Sequence, residues 1–147
     1  TKGLLVALLA GVMSACFALG LDAGTGSISI ELVSRGCDRV ISIEKDRDHH
    51  SFICKIMQEV QTDKCIPIRG DVFKFINGGR EQFDFIFADP PYDLKELETI
   101  PELIFKNNLL KEGGFFVLEH GKQNNFEYNP HFIERRVYGS VNFSFFR

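Results

Sequence analysis

Hydrophobic residues along the chain fall into short runs, near-continuous or of period two, separated by stretches of helical period. An uncharged apolar run from Gly3 to Leu21 reads as a buried helix, a turn near Gly11 to Ser14, and a first strand ending near Leu21. Ser27 to Arg35 reads as a helix with Ile28, Leu32 and Val33 inward, closed by Gly36. Val40 to Ile43 is a second strand, and Asp46 or Asp48 caps a helix whose Phe52, Ile53, Ile56 and Val60 recur at helical spacing. Cys65 to Ile68 makes a third strand, Val72 to Ile76 a short helix closed by Asn77-Gly78-Gly79, and Phe83 to Ala88 a fourth strand. Leu94 to Phe105 is largely helical, Gly113-Gly114 leads into a strand over Phe115 to Leu118, and Phe132 to Val137 with Val141 to Phe146 flank Tyr138-Gly139-Ser140 as a hairpin. This alternation predicts an α/β three-layer sandwich: a Rossmann-like, mainly parallel sheet with an antiparallel C-terminal hairpin. A single domain over residues 1–147 is expected.

Composition adds little that the pattern does not already say. At 44% hydrophobic and 25% charged residues the chain is an ordinary globular one, neither disordered nor fibrous. Phenylalanine occurs 15 times and tryptophan not at all, which suits a well-filled core with rings left over for stacking. The net charge of -3 argues against a uniformly basic nucleic-acid surface and leaves room for a local basic face. Cys16, Cys37, Cys54 and Cys65 are scattered, without CxxC pairs or histidines at zinc spacing, so free thiols and no metal are expected. The run from Gly3 to Leu21 reaches the lower length limit of a membrane span, and with Lys2, Ser14, Ala15 and Ala18 it also resembles a secretory signal. A glycine loop that needs a buried strand before it follows at once, so a soluble, cytoplasmic protein is expected.

In such sheets ligands bind at the carboxyl ends of the strands, so the residues just past each strand carry the chemistry. After the first comes Asp22-Ala23-Gly24-Thr25-Gly26-Ser27, whose glycines admit a ligand to the backbone and whose following helix offers N–H groups to an anion. The full GxGxxG spacing is missing, because position 29 is Ser29. After the second strand Glu44, with Lys45 beside it, is placed to accept from ribose hydroxyls; the mixed-charge run Glu44 to Asp48 also reads as a solvated surface. After the third, Asp71 can accept from an adenine amino group while Val72 offers a backbone N–H; Asp71 reads equally as a helix N-cap. After the fourth comes Asp89-Pro90-Pro91-Tyr92, the most specific motif in the chain. Two prolines stiffen the corner, Asp89 and the Pro90 carbonyl can each accept an N–H of an aromatic amine, and Tyr92 can stack on its ring. The alternative is a rigid turn in which Tyr92 only packs. His49-His50 is expected to face solvent, His120 to end the fifth strand, and Arg135, Arg136 and Arg147 to contact phosphates or guard an exposed edge.

On Ala23-Gly24-Thr25-Gly26, Ser34-Arg35-Gly36, Glu44, Phe87 to Tyr92 and Tyr138-Gly139, the chain resembles the class I methyltransferases, and more narrowly the RsmD family. That resemblance covers Asp22 to the C-terminus. It implies S-adenosylmethionine as cofactor, Asp89 to Tyr92 as the catalytic element, and methyl transfer to guanine N2 in 16S ribosomal RNA of a small ribosomal subunit assembly intermediate. A monomer is expected. Two features depart from the family. The acidic residue expected at position 20 is Gly20, with Asp22 where the family has phenylalanine. The family's opening basic hairpin has no counterpart in these 147 residues, for which a weaker grip on RNA or a partial chain is the expectation. The readings weighed against this one are a DNA adenine-N6 or cytosine-N4 methyltransferase, a non-catalytic nucleotide-binding module of the same fold, and a membrane-anchored protein.

Overall fold

Alternate residues of each buried strand enter opposite cores, and this builds the molecule around one sheet. A computed structural model describes residues 16–22 and 26–147, with only the backbone at Ser27. The strands are β1 (Phe17–Leu21), β2 (Arg39–Glu44), β3 (Cys65–Arg69), β4 (Phe83–Ala88), β5 (Leu110–His120), β6 (Phe132–Tyr138) and β7 (Val141–Phe146). Among the described residues they form a seven-stranded sheet in the order β3-β2-β1-β4-β5-β7-β6. Neighbours among β1 to β5 are parallel, and β7 runs antiparallel to both β5 and β6. Leu19, Leu21, Ile41, Ile43, Ile86 and Leu118 face one core, whereas Ala18, Val40, Phe85, Phe87 and Val117 face the other. The first core is covered by α3 (Val72–Gly78), a 3-10 turn (Leu97–Thr99) and α4 (Ile100–Lys106); the second by α1 (Ser27–Ser34) and α2 (Arg47–Glu59). The three-layer α/β sandwich expected from the alternation is the one observed.

Local signals set the helix limits. Gly36, at φ 95°, lets α1 close as a Schellman motif: its N–H bonds to Val33 O and that of Cys37 to Leu32 O. Asp46 caps α2 by accepting from the Asp48 N–H. Pro101, in the first turn of α4, denies a bond to any upstream helix, so the stretch read as one helix from Leu94 divides into the 3-10 turn and α4. Ile53 and Met57 form the buried line of α2. Phe52 and Val60, expected inward, are 47% and 53% exposed. Phe52 stands about 100° round the helix from Ile53, and Val60 is the C-cap, where the chain leaves the helix. Strand β5 reaches back to Leu110, before the glycine pair, because a register shift between Phe83 and Phe85 absorbs the irregularity.

Many of the phenylalanines close the end of one core, where the Phe146 ring meets Phe105, Phe116, Phe126 and Phe132. Cys16, Cys37 and Cys65 are buried free thiols and Cys54 is half-buried. The helix and turn read within Gly3 to Ser14 lie outside the described residues, as do Ala23, Gly24 and Thr25. Among the described residues no helix is long and apolar enough to cross a membrane.

Candidate active site

The order of strands reverses between β1 and β4: β2 and β3 lie on one side, β5 on the other. At such a point the loops leaving adjacent strands diverge and a crevice opens at the carboxyl edge. In register, Leu21 stands beside both Ile43 and Ala88, so the residues that follow these three strands are neighbours. The Asp89 N–H donates to Leu21 O at 3.1 Å, and the Gly70 N–H to Glu44 O at 3.1 Å, extending the ladders into the loops. Asp22, Glu44, His49, Asp89, Pro90, Pro91 and Tyr92 line the resulting cleft of about 350 Å³.

Each wall has a structural cause. Asp22 adopts a left-handed φ of 54°, which aspartate tolerates better than most residues with a Cβ. Burial, then the carboxylates of Glu44, Asp89 and Asp71, push its carboxyl up to about 6. Glu44 is buried, and its Oε1 accepts from the Asp46 N–H at 3.0 Å. His49, on the first turn of α2, has Nδ1 3.9 Å from that same Oε1 and 3.1 Å from Asp46 Oδ2. Pro90 is buried and Pro91 exposed; the Pro91 carbonyl accepts from the Leu94 N–H at 3.0 Å, folding the corner back on itself. Tyr92 is held at both ends. Its hydroxyl donates to Glu119 Oε2 at 2.8 Å, and its carbonyl accepts from Gln123 Nε2 at 3.3 Å. Burial and then Glu119 raise the Tyr92 hydroxyl above its ordinary range, so it stays protonated.

Three carboxylate side chains, Asp22, Glu44 and Asp89, therefore face one small space. Such a space repels phosphate and favours a ligand that brings positive charge and hydroxyl donors. A family model described as conserved hypothetical protein 95 matches residues 2–147. The chain belongs to that family. It is the RsmD family that the motifs resembled. "Ribosomal RNA small subunit methyltransferase D" of Buchnera aphidicola subsp. Baizongia pistaciae is 29% identical over 96 residues, 65% of this chain and 49% of that protein. The chain spans about half the length of the curated relatives it matches. Among solved structures, a conserved hypothetical protein of Streptococcus pyogenes superposes with a TM-score of 0.88 at 23% identity, covering 99% of this chain and 94% of that one. SMU.776, solved in complex with SAH, superposes with a TM-score of 0.74 at 13% identity, over 93% of this chain and 46% of that one. At these identities the superpositions speak for the fold.

For this member of the conserved hypothetical protein 95 family, the fold brings Asp22, Glu44, Asp89, Pro90, Pro91 and Tyr92 together, as their positions past successive strands suggest. Lys45 is exposed and outside the cleft lining, although its charge opposes the acidic cluster around Asp22. Asp71 caps α3, accepting from the Lys74 N–H at 3.1 Å, and Val72 packs in the core. Gly26 is the N-cap of α1 at φ 78°, where an added Cβ would stand 3.0 Å from Ile53 Cγ1. His49 was expected to face solvent; it is half-exposed and yet forms part of the cleft wall. Glu119 and Gln123 carry no motif, and the one signal that points to them is their place at and beyond the end of β5. His120 is wholly buried, with Nδ1 at 2.7 Å from Gly121 O and Nε2 at 2.7 Å from Ser144 Oγ, and burial lowers its basicity. Arg136 pairs with Glu134 and lies over the Phe145 ring, while Arg147 covers the Phe115 ring.

Proposed function

We propose that the protein transfers the methyl group of S-adenosylmethionine to the exocyclic N2 amine of a guanine in small-subunit ribosomal RNA. The observation that carries this reading is the meeting of the proline-stiffened Asp89 to Tyr92 corner with Asp22 and Glu44 in one acidic cleft. The family and its relative named as a small-subunit ribosomal RNA methyltransferase support the RNA substrate, and the SAH-bound fold neighbour supports the cofactor.

The residues fit that cofactor on physical grounds. A buried Glu44 at the end of β2 suits the two hydroxyls of a ribose, and the carboxylate of Asp22 suits a cationic methionine end. Asp22 thus takes over the acidic function that Gly20 cannot supply. When bound, S-adenosylmethionine supplies an electrophilic methyl on a positively charged sulfur. The chain's own residues do the rest. An aromatic amine is a poor nucleophile because its lone pair is spread into the ring. Asp89 and the Pro90 carbonyl accept its two N–H groups, which fixes the nitrogen and stabilises the positive charge it gains as the N–C bond forms and the S–C bond breaks; one of the two protons then leaves to Asp89, giving the neutral methylamine. The Tyr92 ring, anchored through Glu119 and Gln123, provides a face against which the base stacks. Prolines on either side of the corner's centre keep these acceptors from relaxing into a helix.

The test is incubation of the protein with isotopically labelled cofactor and small ribosomal subunits from a host lacking the modification, followed by nucleoside analysis by mass. Labelled N2-methylguanosine is the expected product. Label on an adenine N6 or cytosine N4 would overturn the base assignment, and no transfer to any RNA would overturn the function.

A further inference from the structure

A second and larger cleft, of about 740 Å³, adjoins the first, and Tyr92 belongs to the walls of both. Its other walls come from Gly121 to Gln123, just past β5, and from the β6–β7 hairpin, including Val137, Ser140 and Asn142. Topology brings these segments together. Because β7 is antiparallel to β5 and pairs Asn142 with His120, the hairpin turn is delivered to the same sheet edge as the Asp89 to Tyr92 corner.

The two clefts differ in charge. Among the described residues, three carboxylates line the first, whereas no carboxylate lines the second, which bears the exposed Lys122. Beside it the Arg135 guanidinium is locked in place, donating to Asn142 Oδ1 at 2.7 Å and to the Lys122 and Asn124 carbonyls at 3.2 and 3.1 Å. Val137, on the same wall, is 58% exposed and presents an apolar surface. A strand of nucleic acid is an anion along its backbone and apolar on its base faces, so it is repelled by the first cleft and matched by the second.

We infer that the second cleft seats the unpaired RNA strand flanking the target nucleotide. A backbone phosphate lies on Lys122 and a flanking sugar or base against Val137, while only the target base passes Tyr92 into the acidic cleft. This rests on the methyltransferase reading and adds to it the path of the substrate. It also explains how an acidic protein can work on RNA: cationic cofactor and anionic strand are sorted into adjoining spaces of opposite character.

The experiment measures binding of short fluorescein-labelled single-stranded RNAs, U-rich and A-rich, by anisotropy over a series of salt concentrations, with cofactor affinity followed by calorimetry. K122A should weaken binding equally for both sequences and reduce the slope of log affinity against log salt by about 0.7, the contribution of one phosphate contact on a single strand. V137D should weaken RNA binding further, K55A, further along α2 and in the lining of neither cleft, should leave it unchanged, and none of the three should alter cofactor affinity. Photocrosslinks from 4-thiouridine in the RNA should map to residues 121–123 and 137–142. If the wild-type protein binds RNA but K122A and V137D leave affinity and slope untouched, or the crosslinks fall elsewhere, the second cleft is not the strand's site and the methyltransferase reading stands without it. If single-stranded DNA binds as tightly as RNA, the assignment to RNA is overturned. If the protein neither binds RNA nor transfers label to it, both readings fail together.

Discussion

Replacing Asp22 by Asn keeps a side chain that tolerates the left-handed φ of 54° and removes only its charge. In the folded protein this carboxyl is pushed from an ordinary 3.8 up to about 6, first by burial and then by Glu44, Asp89 and Asp71. The folded state therefore holds the proton more tightly than the unfolded chain, and the ionised carboxylate opposes folding. At about 1.4 kcal/mol for each pH interval between the two values, the opposition amounts to about 3 kcal/mol at most, less whatever solvent at the cleft mouth screens. It is fully present above pH 6, diminishes as pH falls towards 4, and vanishes below the unfolded value. Urea unfolding of D22N and wild type, compared near pH 7.5 and near pH 5, reads this directly. The variant should be more stable by up to about 3 kcal/mol at the higher pH and by about half as much at the lower. Calorimetry should show the opposite for function: weaker cofactor binding by D22N, and wild-type affinity that increases as Asp22 ionises between pH 5 and 7. Such a trade is expected where a site concentrates like charges to meet a cationic ligand. A stability gain that does not change with pH, or a loss at both pH values, would refute the electrostatic account of this cleft.

Asp89→Ala should lower kcat roughly a hundredfold or more, the scale for removing one transition-state hydrogen-bond partner, while the cofactor Kd moves little. A collapse of cofactor binding would mean that Asp89 serves the cofactor instead. Glu44→Ala should weaken cofactor binding by roughly ten- to a hundredfold, as expected for losing charged hydrogen bonds; an unchanged Kd in calorimetry would remove Glu44 from that role. Gly26→Ala should cost roughly 1–2 kcal/mol for the left-handed backbone alone, and more because its new Cβ meets Ile53 Cγ1 at 3.0 Å. Gly36→Ala, at φ 95° with nothing within 4 Å of its Cβ, isolates the backbone part. Equal losses for the two in urea unfolding would show that Ile53 yields without cost.

What the residues alone determined about this protein is what short-range physics controls. Apolar runs such as Phe83 to Ala88 became strands because their alternating side chains enter both cores, and Asp46 and Gly36 bounded helices through bonds spanning a few residues. The site was partly legible for the same reason. Asp22, Glu44 and Asp89 each stand directly after a strand, and parallel sheets present such positions at one edge. Which of them touch was decided by the strand order, since only the placement of β1 between β2 and β4 sets Leu21 beside both Ile43 and Ala88. His49 entered the wall because α2 starts at that edge, and Glu119 reached Tyr92 across 27 positions because β5 lies next to β4. The second cleft was invisible for a like reason: its halves, residues 121–123 and the hairpin, meet only because β7 returns antiparallel along β5. Periodicity and capping act within a few residues, whereas adjacency between strands is a balance of contacts over the whole chain, and it is adjacency that makes a site.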